Sequence, residues 1–235
     1  MKKEQKIKKG KFIAIDGIDG AGKFTQVNLL VKRLQTQGHK TAIIDFPQYE
    51  KKSAGLVCEY LNGKYGQSDK NNPYIASLFY ACDRYDGSFK IKEWLSKGTT
   101  VIANRYVSAN MGHQGGKLKT KSARLKYFKW LYDLEYNIFK IPKPNLNIIL
   151  DINVQKSQKL VEKKDKRDYI NNNAIKDIHE LDLKHLENAR KVYLEIAKNF
   201  SDFILVDCIK DKELMTRQEI NDLIWEKIKK YVKKI

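Results

Sequence analysis

Residues Gly17-Ile18-Asp19-Gly20-Ala21-Gly22-Lys23-Phe24-Thr25 have the types and spacing needed to hold a nucleotide phosphate. They contain the pattern GxxxxGK, directly after a short apolar run and directly before an amphipathic stretch. Glycines let the backbone wrap closely, so that its N–H groups converge on an anion. The helix that follows adds the partial positive charge of its N-terminus, and Lys23 has the reach for β- and γ-phosphates. One residue breaks the pattern. The Ser/Thr that normally follows the lysine and ligates Mg2+ is Phe24, whose ring cannot bind a metal. Thr25, one position late, still offers a hydroxyl and an N–H to a phosphate. A bound Mg2+ then needs another oxygen, and Asp19, inside the loop, is the nearest candidate.

The elements that must position this loop read as alternating strands and helices. Five short apolar runs, Phe12–Asp16, Thr41–Phe46, Thr100–Asn104, Asn145–Asp151 and Phe203–Asp207, lack alternation and are followed by loop or helix signals. They have the character of parallel strands covered on both faces. Val27, Leu30, Val31 and Leu34 mark one helix, stopped by Gly38. Further helices are predicted from Pro73 towards Trp94 and Leu95, from Ser122 to Phe139, from Ile178 to Phe200 and from Arg217 to Val232. This alternation predicts a three-layer α/β fold with a doubly wound, five-stranded parallel sheet in one domain over residues 1–235. Gln155 to Lys176 fits neither state: it starts helical and becomes polar and charged. It reads either as a solvated loop or as a mobile basic lid over about residues 155–176 that excludes water from phosphates.

Composition narrows the partners. The chain carries 46 Lys and Arg against 28 Asp and Glu, a formal charge of +18 over 235 residues. That charge suits polyanions such as nucleic acid, anionic membrane or phosphorylated metabolites, or reflects a lysine-rich, AT-rich coding background. Arginine is the more informative base because its planar fork grips phosphate with two bonds at once. Cys58, Cys82 and Cys208 form no CxxC pair, which predicts reduced thiols in a cytoplasmic protein, with Cys82 and Cys208 as core filler. No apolar run approaches a membrane span. Residues 1–10 read as a basic, solvated tail. His179-Glu180 opens like a zinc-binding helix motif, but the required second histidine is Leu183 and His185 is out of step, so zinc is not expected.

With these features together, the chain resembles the thymidylate kinase family from Phe12 to about Asp207. The resemblance rests on an ordered set of motifs. Asp16 to Lys23 looks like the family's phosphate loop, with Asp16 where Glu is usual. Phe46-Pro47 follows the second strand, and Asp83-Arg84 matches a helix motif. Asn104-Arg105-Tyr106 looks like the family's Asp-Arg-Tyr after the third strand. Pro142-Lys143-Pro144-Asn145 precedes the fourth, and Asp177-Ile178-His179-Glu180 resembles the acidic motif after the family's lid. The resemblance implies the nucleotide-kinase fold with a short lid. It implies transfer of the ATP γ-phosphoryl group to dTMP, giving dTDP and ADP on the way to dTTP. It also implies Mg2+ and a homodimer.

The roles it implies fall on particular residues. Gly17 to Thr25 hold ATP, and Lys23, Arg105 and Arg167 form a cationic clamp on the transferring group. Tyr80 and Arg84 are i, i+4 on one helix: the ring stacks on thymine and an Arg N–H donates to its O4, where cytosine offers a donor instead. Asn110 and Gln114 can accept from thymine N3–H. His113 replaces a Tyr that packs on deoxyribose. Asp19, Phe46 and Pro47 complete the dTMP site. Arg105 grips the dTMP phosphate from a strand's C-terminal end. With Phe24 and Asn104 removing two usual groups, Asp19 and Glu180, with Asp177, are the implied Mg2+ ligands; the two later acids equally suit a helix N-terminus. Residue type alone also leaves Tyr80 as core and Asn110 as a helix cap. Three other functions remain at this stage: another nucleoside monophosphate kinase, a weakened nucleotide binder, and a nucleic-acid module motivated by charge alone.

Overall fold

The computed structural model describes residues 9–66, 72–161 and 183–232. Its centre is a parallel sheet of β1 (Phe12–Gly17), β2 (Thr41–Asp45), β3 (Thr100–Asn104), β4 (Leu146–Asp151) and β5 (Phe203–Asp207), in the order β2-β3-β1-β4-β5. β1, β3 and β4 are almost wholly buried, which is why their runs show no alternation. β4 begins one residue later than its apolar run. Asn145 is instead a bracket: its Oδ1 accepts the N–H of Phe12 at 2.8 Å.

Right-handed crossovers put helices on both faces. α1 (Lys23–Thr36) packs with α8 (Arg217–Val232) on one side. The other side carries α3 (Pro73–Ser96), α4 (Val107–His113), α5 (Lys121–Tyr132) and α7 (Leu183–Asn199). Short helices α2 (Gly55–Leu61) and α6 (Val154–Val161) and a small hairpin of β6 (Ile209–Lys210) with β7 (Glu213–Leu214) complete the described elements. α1 stops as its sequence predicts, with Gly38 at φ +82°. α3 starts on Pro73, capped by the Asn72 side chain.

Two expectations are corrected. The single helix expected from Ser122 to Phe139 changes at Asp133, where residues Asp133–Ile138 form a π-helical stretch. The wider turn brings Glu135 fully inward. Cys82 is exposed on α3, because its position on the helix points away from the sheet; only Cys208 is buried. The expected lid starts helically in α6, while residues 162–182 lie outside the described residues. Among those described, no helix is long and apolar enough to cross a membrane.

Candidate active site

The crossovers leave their loops at the C-terminal edge of the sheet, where ligands bind in open α/β folds. The loop after β1 turns sharply through Gly20 and Gly22, at φ +81° and +82°. At Gly20 a side chain is excluded twice over, since a Cβ there would strike the Ser157 carbonyl on α6. Lys23 opens α1, and its Nζ donates to the carbonyls of Gly17 and Ile18 at 2.9 Å each, 4.0 Å from Asp19 Oδ1. The loop is anchored from below by Asp16, fully buried. Asp16 accepts from Ser108 Oγ at 2.6 Å, Tyr193 Oη at 3.0 Å and the Tyr106 N–H at 3.2 Å. Asp16 therefore ties the loop to α4 and α7.

Beside this loop lies a cavity open to solvent on one side. Asp19 enters it from the loop, Phe46 and Pro47 from the end of β2, and Arg105 from the end of β3. Tyr80 and Arg84 enter from α3, and Asn110, His113 and Gln114 from α4 and its C-terminal end. Every residue that the sequence points to for dTMP borders this one space. Tyr49, Leu61 and Ala109 border it as well. Tyr80 is half-buried at the wall rather than core, and Asn110 lies within α4 rather than capping it. A second opening, towards the phosphate loop, is lined by Gly20, Gly22, Lys23, Phe24 and Thr25. It continues to Asp45, Asn104 and Arg105. Gly17, Ile18 and Ala21 form the loop's buried floor. Phe24 projects outward, 64% exposed.

The polar groups of the cavity are held in fixed directions. Arg84 is buried, and Glu135 grips it with Nε–Oε2 at 2.8 Å and Nη2–Oε1 at 2.5 Å. Its Nη1 lies 3.4 Å from Asn110 Oδ1. Gln114 directs Nε2 towards Tyr60 Oη at 3.4 Å, while its buried Oε1 has no hydrogen-bond partner among the described residues. Arg105 pairs through Nη2 with Asp19 and approaches His113 Nε2 through Nη1 at 3.3 Å. Its backbone is left-handed, φ +67°, with its N–H donating to Ile15 at 2.9 Å. A non-glycine residue held there costs roughly 1–3 kcal/mol, a strain that concentrates at functional sites.

Several motifs prove to be supports. Asp83 accepts from the Gln48 N–H at 2.9 Å and Ser53 Oγ at 2.7 Å, fixing the loop that carries Phe46-Pro47, whose peptide bond is cis. Tyr106 Oη donates to the Pro142 carbonyl at 2.9 Å. Glu135, His185 and Tyr193 escaped the sequence reading: each lies far along the chain from its partner, and only a glutamate inside an apolar helix hinted at an internal role. Arg167, Asp177 and Glu180 lie outside the described residues.

The loop, the strand order and the convergent cavity define a phosphate-loop nucleotide kinase. The family model for thymidylate kinase matches residues 15–220, so the chain belongs to the thymidylate kinase family. It is similar to the thymidylate kinase of Mycobacterium tuberculosis, 28% identical over 79% of this chain and 85% of that one. It is 31% identical to a probable thymidylate kinase of Thermococcus onnurineus over 86% of this chain and 91% of that one. Human thymidylate kinase is 27% identical over 65% and 66% of the two chains. The solved thymidylate kinase of Candida albicans superposes with a TM-score of 0.71 at 21% identity, covering 95% of this chain and 92% of that one, and shares its fold.

Proposed function

We propose that this chain transfers the γ-phosphoryl group of ATP to dTMP, giving dTDP and ADP. The observation that carries the reading is the convergence of Asp19, Phe46, Tyr80, Arg84, Arg105 and Gln114 on one cavity beside the phosphate loop. Gly17 to Thr25 cradle the ATP phosphates, with Lys23 moving from its loop carbonyls to the β- and γ-oxygens. Thymine lies against Tyr80 between Phe46 and Pro47. Arg84 Nη1 donates to O4, and Gln114 Oε1, which has no partner among the described residues, accepts with Asn110 from N3–H. Cytosine presents a donor to Arg84 and an acceptor to Gln114, so both contacts turn repulsive. His113 packs on the deoxyribose. Arg105 holds the dTMP phosphate between the two substrates, and Arg167 completes the clamp. Asp19, adjacent to Arg105, orients that guanidinium. Such charges are fixed before reaction and act in a site shielded from water, where they are worth most.

Mg2+ fits the donor set. Asn104 Oδ1 is a buried oxygen that no N–H or O–H meets among the described residues, and it lies in the same opening as the Asp19 carboxylate. Oxygen atoms of this kind suit a hard cation. Asp19 and Asn104 would hold it here, with Glu180 and Asp177, outside the described residues, as further candidate ligands. When bound, it neutralises charge on the transferring phosphates.

The enzyme works as one kinase domain over residues 1–235, with a tail at 1–10 and a lid at about 155–176, in the cytoplasm, where its three free thiols suit a reducing medium. A homodimer is supported by the exposed rings of Tyr85 and Phe89 on α3, with Tyr85 also packing on the partly buried Phe139. Turnover of dTMP, dUMP, dCMP and dGMP with ATP and Mg2+ tests the activity; preference for a base other than thymine overturns it. Lys23→Ala is expected to lower kcat by about a hundredfold or more.

A further inference from the structure

The cavity ends on a histidine whose far side the proposed chemistry leaves unused. His113 Nε2 is 3.3 Å from Arg105 Nη1, and its Nδ1 is 3.2 Å from Nε2 of His185. His185 stands on the first turn of α7. It is buried and borders a separate groove with Lys117, Lys184 and Lys191.

These two contacts fix the protons. The Arg105 guanidinium stays charged and has only N–H groups to offer. His113 Nε2 therefore meets it with a lone pair, and the single proton of a neutral His113 sits on Nδ1. That proton faces His185 Nε2, which accepts it, so His185 carries its own proton on Nδ1. Ring geometry agrees. The planes differ by 21° and the centroids are 5.4 Å apart, close to the N···N distance plus the two ring radii. The two nitrogens thus point at each other. Burial, foremost, pushes the His113 imidazole well below its usual range. Arg105, His185 and Lys23 act in the same direction and Asp19 against it. The Tyr193 ring, also on α7, meets His113 edge-on.

We infer that His185 is a positioning residue for the phosphate grip: by accepting from His113 it selects the tautomer that turns a lone pair to Arg105, and so aims the guanidinium. This rests on the reading of the cavity as the dTMP site. Asp19 takes one terminal nitrogen of Arg105 and His113 the other. Without the His185 lone pair, the His113 proton can sit on Nε2, where it opposes an arginine N–H. A residue on α7, outside the substrate cavity, thereby sets how the acceptor phosphate is held.

Two readouts test the relay. The chain has four histidines, so 15N-histidine spectra near neutral pH are assignable with His113→Gln and His185→Gln. His113 is expected as the Nδ1–H tautomer in the wild type and as a tautomer mixture in His185→Leu. A His113 protonated on Nε2 in the wild type would overturn the inference. In steady state, His185→Leu is expected to raise the KM for dTMP about tenfold with kcat and the KM for ATP moved less. His185→Gln, whose Oε1 can take the same N–H, is expected to recover most of that loss. Equal KM values in the Leu and Gln variants would also overturn it, because the ring's bulk alone would then matter. If the wild type fails to phosphorylate dTMP, the functional reading falls, while the spectra still decide the relay.

Discussion

At the scale of single residues, the pair Arg84–Glu135 shows how a buried guanidinium is held in one direction. Glu135 occupies the Nε edge of the guanidinium and leaves Nη1 towards the cavity. A buried ion pair of this kind stabilises little by itself, because desolvation cancels most of the attraction. Breaking it is costly. Arg84→Ala is expected to destabilise the protein by about 3–5 kcal/mol, since it strands a buried carboxylate. Adding Glu135→Leu should restore stability in denaturant unfolding without restoring discrimination between dTMP and dCMP. That separation distinguishes a base-reading arginine from a structural one. The metal is tested at the same scale. Phe24 points outward, so Phe24→Ser is expected to leave the Mg2+ requirement unchanged. Asn104→Leu is expected to raise the Mg2+ concentration for half-maximal turnover about tenfold.

At the scale of elements, close approach decides the site. Gly87 sits inside α3, where glycine ordinarily costs about 1 kcal/mol relative to alanine. A Cβ there would stand 2.7 Å from the Phe46 ring and 3.1 Å from Gln48 Nε2. Overpacking of a filled space costs about 1–3 kcal/mol, so packing outweighs propensity. Gly87→Ala is therefore expected to lower Tm and, by displacing Phe46, to raise the KM for dTMP. Unchanged melting and kinetics would show that the ring relaxes freely. Gly112 plays the matching part between α4 and α7, since a Cβ there would run into the Tyr193 ring. That close contact is what brings His185 up to His113. The elements themselves were legible. Strands β3 and β5 have the predicted bounds, because short apolar runs between polar flanks mark strands of a parallel sheet even where, as in β5, Leu205 is partly exposed. The π-helical stretch was not legible, because its register follows from where Glu135 must meet Arg84 and not from local propensity.

At the scale of the whole molecule, the outer patch of α3 makes an assembly prediction. Phe89 is 59% exposed and Ile138 63%, while Tyr85 packs its ring on both Phe89 and Phe139. Apolar rings grouped in this way on a surface mark a contact site. Phe89→Glu is expected to shift a dimer to monomer in sedimentation velocity, with the monomer's phosphate loop intact. A wild type that sediments as a monomer would sink the dimer. The +18 charge plays a smaller part than its size suggests, because the cavities use a few placed cations, Lys23, Arg84 and Arg105, and most lysines lie outside them.

By itself the sequence determined the phosphate loop, the five parallel strands, the family and most of the residues that line the cavity beside the loop. Each of these is a local pattern: glycines that must turn, apolar runs that must be buried, motifs in a fixed order. Only the tertiary structure decided what holds those residues in place. Asp16 anchors the loop through Ser108 and Tyr193, Glu135 clamps Arg84, and His185 orients His113. These partners lie tens of residues or more apart in the chain. A hydrogen bond depends on position and direction in space, and those are set only when the helices close on the sheet.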